Sequence, residues 1–210
     1  MKNELQKRIL SIIVIAPLSF YLILKGSLFF ISFLFKLFLI SSYEWLKMTK
    51  NFFLKIVGLF FLIISFFATF FIREESLEIF LFIIIICVSN DVGGYLFGKL
   101  LKGPKLTKIS PNKTYSGMFG GILLAFIFSY LLELSLDFEN QKNISNIEFL
   151  IVILIISCIS QLGDLIISFF KRINKIKNTG NILPGHGGLL DRIDGMIFVF
   201  PSVFLILFFI

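Results

Sequence analysis

Apolar residues run along this chain in blocks of roughly 16 to 24 positions, the length an α-helix needs to cross a bilayer, with short charged intervals between them. The blocks cover 9–24, 27–43, 52–72, 77–97, 116–136, 149–170 and 193–210, and they predict seven transmembrane helices. Only Lys25 and Gly26 separate the first two, and Lys36 interrupts the second. Those two therefore form a tight hairpin, or one of them inserts in part.

Charge gives the blocks a direction, because Lys and Arg are retained in cytoplasmic loops. With the N-terminus inside, Lys2, Lys7, Arg8, Lys47, Lys50, Lys99, Lys102, Lys105, Lys108, Lys113, Lys171, Arg172, Lys175, Lys177 and Arg192 all fall on the inner side. The outer intervals keep Lys25, Arg73 and Lys142 among several acids. The expectation is an all-α, polytopic integral membrane protein of the cell inner (cytoplasmic) membrane, with a cytoplasmic N-terminus and its working face toward the cytoplasm. MKNELQKR and the apolar run after it resemble a signal peptide, but no small-residue cleavage site follows, so an uncleaved first span is expected.

Composition agrees: 57% of the 210 residues are hydrophobic, 16% are charged and the mean hydropathy is +0.96, outside the range of a soluble domain. The 29 Phe residues are spread through every block and read as lipid-facing filler. Cys87 and Cys158 have no CxxC partner, which indicates neither a zinc site nor a disulfide framework. Much of the net charge of +7 is the topology signal itself, so no nucleic-acid partner is needed. The inner loops 98–115 and 171–192 carry more cations than orientation requires, and should attract lipid phosphates or nucleotides.

Polarity divides the chain into N-terminal transmembrane helices over 1–76, nearly featureless and leaving room for a homodimer, and a membrane domain over 77–210 that holds the working site. In the second part, Ser160, Asp164, Ser168 and Arg172 recur every four residues, with Gln161 and Lys171 beside them, as one polar stripe on an apolar helix. An intramembrane carboxylate costs about 2.5 to 3.5 kcal/mol on insertion scales, which makes Asp164 a functional candidate, although pairing with Lys171 or Arg172 could simply hold the bundle. Asp191 and Asp194, three apart, project from one side of a helix beginning near Leu190 and repel unless a cation intervenes. Asp164, Asp191 and Asp194 are thus candidate ligands of Mg²⁺, with room for a second metal. Asp191 could instead be a helix cap.

Pro184, Gly185, Gly187 and Gly188 form a loop leading into a helix N-terminus, where backbone amides can approach phosphate, and His186 among them could donate to phosphate or move a proton. The spacing fits neither a P-loop nor a Rossmann turn. The other inner loop runs from Asn90 and Asp91 through basic residues to Ser110, Lys113 and Thr114, whose ammonium and hydroxyl groups suit an anion cradle, while Gly117, Gly120 and Gly121 suit close helix packing.

The run SFFKRINKIKNTGNILPGHGGLLDRID, residues 168–194, resembles the signature of the phosphatidate cytidylyltransferases, and NDVGGYLFGK with KISPNKTYSGMFGG is similar to that family's other well-known region. The likeness departs at Asn178, where the family has Asp, and at Tyr115-Ser116, where it has Trp-Glu. It implies an all-helical membrane enzyme that joins CTP to phosphatidate in the bilayer, giving CDP-diacylglycerol and pyrophosphate. It implies catalytic roles for Asp164, Asp191, Asp194, Lys171 and Arg172, and substrate contacts from Ser110, Lys113 and Thr114. Asp91, Ser168, Lys177, Gly187, Gly188 and Arg192 complete the expected substrate-binding set, and His186 the catalytic one. A membrane nucleotide-dependent lipid kinase or transferase with another acceptor, or an ion-coupled transporter built on Asp164, are the alternatives.

Overall fold

The computed structural model describes residues 2–107, 109–136, 145–182 and 187–209, with side chains described from residue 13 onward except at 14, 134–136 and 209. Every apolar block of the sequence falls on a helix: α1 Lys2–Lys25, α2 Ser27–Met48, α3 Phe52–Glu75, α4 Leu77–Leu101, α5 Tyr115–Leu136, α6 Asn146–Ile173 and, after a four-residue α7 Leu190–Ile193, α8 Met196–Phe209. Five of them, α2 to α6, contain stretches long and apolar enough to cross a membrane. The apolar parts of α1 (Ile15–Lys25) and α8 (Met196–Phe208) are shorter.

Local chemistry sets the helix ends. Asn51 and Ser76 cap α3 and α4 by accepting from Phe53 N and Ile79 N. Ser145 and Glu148 close a reciprocal capping box at α6, each accepting from the other's backbone amide. Gly26, at φ 64, turns α1 into α2 where the Arg73 guanidinium packs against it and donates to the Ile23 and Leu24 carbonyls.

α4 and α5 form the most intimate pair, and their glycines explain it. A Cβ built on Gly93 would lie 2.5 Å from the Gly120 carbonyl oxygen, and one on Gly117 would lie 2.6 Å from that of Gly94. Small residues let the two backbones approach closely, as expected for Gly117, Gly120 and Gly121. α6 packs against both α4 and α5, and α8 fills the space between α3, α4 and α6. Buried Phe30 meets Phe80 edge to face, with ring centroids 5.6 Å apart, and Phe80 stacks on Phe200 at 5.3 Å. Many other phenylalanines, such as Phe52, Phe60 and Phe119, lie on the apolar exterior. The α4–α5 loop, the α6–α7 loop and the last turn of α2 gather at one end of the bundle, where Arg172 Nε donates to Ile109 O and Lys50 N donates to Asn174 Oδ1.

Candidate active site

The α4–α5 loop is built to hold a lysine still. Lys102 and Gly103, both at positive φ, turn the chain out of α4, and Lys105 and Thr114 then pair in a single antiparallel bridge. Leu106 N donates to Lys113 O at 2.8 Å, and Lys113 N donates to Ser110 O at 3.0 Å, closing a tight turn over Ser110-Pro-Asn-Lys113. Proline at the second position suits that turn because its φ is already fixed there. Thr114 Oγ1 accepts from Gly117 N at 3.1 Å and so caps the start of α5.

From this turn Lys113 reaches Asp164 of α6 as an ion pair, and Ser168 Oγ donates to the other Asp164 oxygen at 3.3 Å. The partner of Asp164 is therefore a lysine from a different loop, not Lys171 or Arg172 of its own helix. Around this pair lies a cavity of about 430 Å³, open at the loop end of the bundle. Its wall includes Asp91, Ser110, Lys113, Thr114, Asp164, Lys171, Asp191, Arg192 and Asp194. Residues far apart in sequence thus converge on one space.

The carboxylates differ in their surroundings. Asp191 accepts from Lys171 Nζ at 2.8 Å through one oxygen, and from Thr179 N at 2.9 Å and Gly188 N at 3.3 Å through the other. Asp194, in the turn before α8, is buried. Burial, reinforced by the charges of Asp164 and Asp91, holds its carboxyl well above the usual carboxylate range. Among the described residues no group of three acidic, histidine or cysteine side chains is already drawn together at metal-ligand spacing. The donor chemistry nevertheless fits a hard divalent cation: Asp164 and Asp194 bring oxygen into the same cavity, and mutual repulsion there is relieved by positive charge.

Other expected site residues stand at the margin. Arg172 is exposed and braces the two loops through Ile109 O and Ile176 O. Ser168 serves Asp164, and Lys177 is exposed beyond the cavity. Gly187 takes φ 89, a conformation that favours glycine, beside Asn178. Gly188 directs its amide to Asp191, and a Cβ there would collide with Thr179 Oγ1 and Glu44. Its lack of a side chain thus serves packing within the loop. His186, with Pro184 and Gly185, lies outside the described residues.

Two features were not among the expected site residues. Asn90 Nδ2 donates to Ser157 O at 3.1 Å, while Gln161 Nε2 donates to Asn90 Oδ1 at 2.8 Å and Met118 O at 3.1 Å, fastening α4, α5 and α6 at the cavity wall, which Asn90, Met118 and Gln161 themselves line. Gln161 stands on the polar stripe of α6, which was the available signal. Glu44 is 1% exposed near the end of α2 and accepts from Leu189 N, Leu190 N and Thr179 Oγ1. Its signal, an acid one position beyond an apolar block, looks like an ordinary loop residue.

Comparison with known proteins settles the kinship of this architecture. The cytidylyltransferase family matches residues 51–210, which include every described wall residue of the cavity. The chain belongs to the cytidylyltransferase family. It is 37% identical to a phosphatidate cytidylyltransferase of Rickettsia bellii over 98% of this chain and 91% of that protein. It is 41% identical to one of Staphylococcus epidermidis over 64% of this chain, and 42% identical to one of Staphylococcus aureus over the same share. Those matches span about half the length of the staphylococcal relatives, 51% in each case. The family match thus reaches from the cap of α3 through both cavity loops, and the Rickettsia relative extends the likeness into the first helices.

Proposed function

We propose that this chain transfers the cytidylyl group of CTP to phosphatidate, forming CDP-diacylglycerol and pyrophosphate. The observation that carries the reading is the cavity that joins Lys113 and Lys171 to Asp164, Asp191 and Asp194 in a chain of the cytidylyltransferase family. The relatives named phosphatidate cytidylyltransferase support the choice of lipid acceptor.

In this mechanism a phosphatidate oxygen attacks the α-phosphorus of CTP in line, and the bond to pyrophosphate breaks without a covalent enzyme intermediate. Positioning and charge neutralisation supply most of the acceleration in such chemistry. Lys113 and Lys171 would offset the triphosphate's negative charge, with Arg192 beside them. The rigid Ser110–Lys113 turn would keep one of those charges in place. Asp164 and Asp194 would hold Mg²⁺, with Asp191 fixing the adjoining wall and room for a second ion near it. Mg²⁺, when bound, neutralises phosphate oxygens and polarises the phosphorus toward attack.

The same reading places the protein in the cell inner membrane with its N-terminus and the cavity on the cytoplasmic side and seven crossings, α1 and α8 included. The cations crowded on the loops at the cavity end support that orientation. CTP would arrive from water, and phosphatidate from the bilayer between helices. Purified protein in lipid-supplemented detergent, given CTP, Mg²⁺ and phosphatidate, should release pyrophosphate and form CDP-diacylglycerol in equal amounts. Folded protein that forms neither product, or that instead phosphorylates a lipid, would overturn the proposal.

A further inference from the structure

A carboxylate buried inside an apolar bundle needs compensation, and Glu44 receives it from the chain that carries the site. Leu189 N donates to one oxygen at 3.0 Å, while Leu190 N and Thr179 Oγ1 both donate to the other at 2.9 Å. Those amides lie at the start of α7 and Thr179 lies earlier in the α6–α7 loop, so two separate stretches of chain are fastened to α2. Gly180 and Gly188 are the space that admits it: a Cβ on Gly180 would collide with the Glu44 carboxylate, and one on Gly188 would lie 2.6 Å from Glu44 Oε2.

Asp191 grips the same two stretches from the opposite side, accepting from Thr179 N and Gly188 N. Thr179 is thereby held twice, its hydroxyl by Glu44 and its amide by Asp191. Asp191 in turn holds Lys171 at 2.8 Å, and both line the cavity. Glu44 does not line that cavity. We propose that Glu44 is a positioning residue of the cytidylyl-transfer site, fixing Asp191 and Lys171 through Thr179 and the α7 amides. The inference rests on the proposed function for its kinetic consequence, and on the loop geometry alone for its structural one.

Glu44→Gln removes the charge and replaces one acceptor oxygen with a donor aimed at backbone amides. In the full chain in detergent, kcat should fall about 10- to 100-fold, as misplacement of aligned groups does, with KM for phosphatidate held within about twofold. Hydrogen exchange at the 188–190 amides should quicken while that of α3 and α5 stays unchanged. Thr179→Val keeps Glu44 charged and removes a single bond. It should lower kcat in the same direction by about 2- to 10-fold, and it carries the test if Glu44→Gln does not fold. Folded variants with wild-type kcat and unchanged exchange at 188–190 would overturn the inference and leave the proposed function standing. A wild-type protein inactive toward CTP and phosphatidate would instead overturn the proposed function, and the exchange measurement would still decide whether Glu44 holds the loop.

Discussion

Lys171 of α6 donates to Asp191 of α7 at 2.8 Å, and the two side chains keep only 11% and 10% of their exposure. The pair ties the end of a long helix to a four-residue one that has little stability of its own. Removing one partner leaves a desolvated charge, which costs about 3 to 5 kcal/mol in buried pairs. Lys171→Met and Asp191→Asn should each lower the unfolding midpoint in detergent, and the double variant should lose less than the sum, by about 0.5 to 3 kcal/mol. Strict additivity in that cycle would show that the pair is not coupled. Asp191→Asn should also stop pyrophosphate release in the fraction that remains folded.

Lys113 and Asp164 make a second pair, more exposed, with 25% and 28% of their side-chain surface open to the cavity. Solvent access weakens its contribution to folding, so its replacement should show mainly in catalysis. Asp164→Asn should reduce turnover about 100- to 1000-fold, the scale on which transition-state charge stabilisation is lost. Lys113→Gln should raise KM for CTP more than KM for phosphatidate, because only the nucleotide brings a triphosphate to that turn. Steady-state kinetics with each substrate varied in turn separates these outcomes. Equal changes in both KM values would place Lys113 elsewhere in the reaction.

The helices were legible because each apolar block has the length of a span and little else competes for its conformation. Asp164, Asp191 and Asp194 stood out for a related reason, since a charge at the end of, or within, an apolar helix needs a partner, whereas Lys113 stood out as a loop cation suited to an anion; the fold brings all four to one cavity. What the sequence concealed was pairing across helices. The structural alternative for Asp164 was a pair with Lys171 or Arg172, yet its partner, Lys113, arrives through a turn that includes Pro111 and lies between the two residues of a single bridge. Glu44 was hidden because two of its three partners are backbone amides and all lie more than a hundred residues away, which leaves little mark on side-chain pattern. The glycines of the α6–α7 loop suggested a phosphate cradle, whereas Gly188 makes room for Thr179 and Glu44.

The α4–α5 contact gives a prediction that distinguishes neighbouring glycines. A Cβ on Gly93 would press 2.5 Å from the Gly120 carbonyl oxygen and 2.8 Å from Gly121 Cα, neither of which can swing aside. A Cβ on Gly94 meets its nearest atom, the Gly117 carbonyl oxygen, at 3.7 Å, an ordinary contact. Gly93→Ala should therefore destabilise by about 1 to 3 kcal/mol, as overpacking does, and lower activity by displacing Asp91 and the following loop. Gly94→Ala should be near neutral, since alanine also favours the helix. Thermal unfolding of both in detergent decides the point, and equal midpoints would contradict this close packing.

Asp194 supplies the test of the metal. Without a cation it is a buried acid whose carboxyl is pushed toward its neutral form by burial and by Asp164 and Asp91, so its replacement by the neutral Asn should leave the metal-free protein as stable as before, or more so. With Mg²⁺ the order should reverse. A ligand present at about 100 times its dissociation constant stabilises the folded state by about 2.7 kcal/mol, and that gain depends on the carboxylate that binds it. Wild-type protein should thus melt higher when Mg²⁺ is added and lose the increment when it is chelated. Asp194→Asn should show little change in either direction, and Asp164→Asn a reduced one. An undiminished Mg²⁺ shift in both variants would move the cation away from this cavity, whatever their turnover, because the melting curve reads binding and not catalysis.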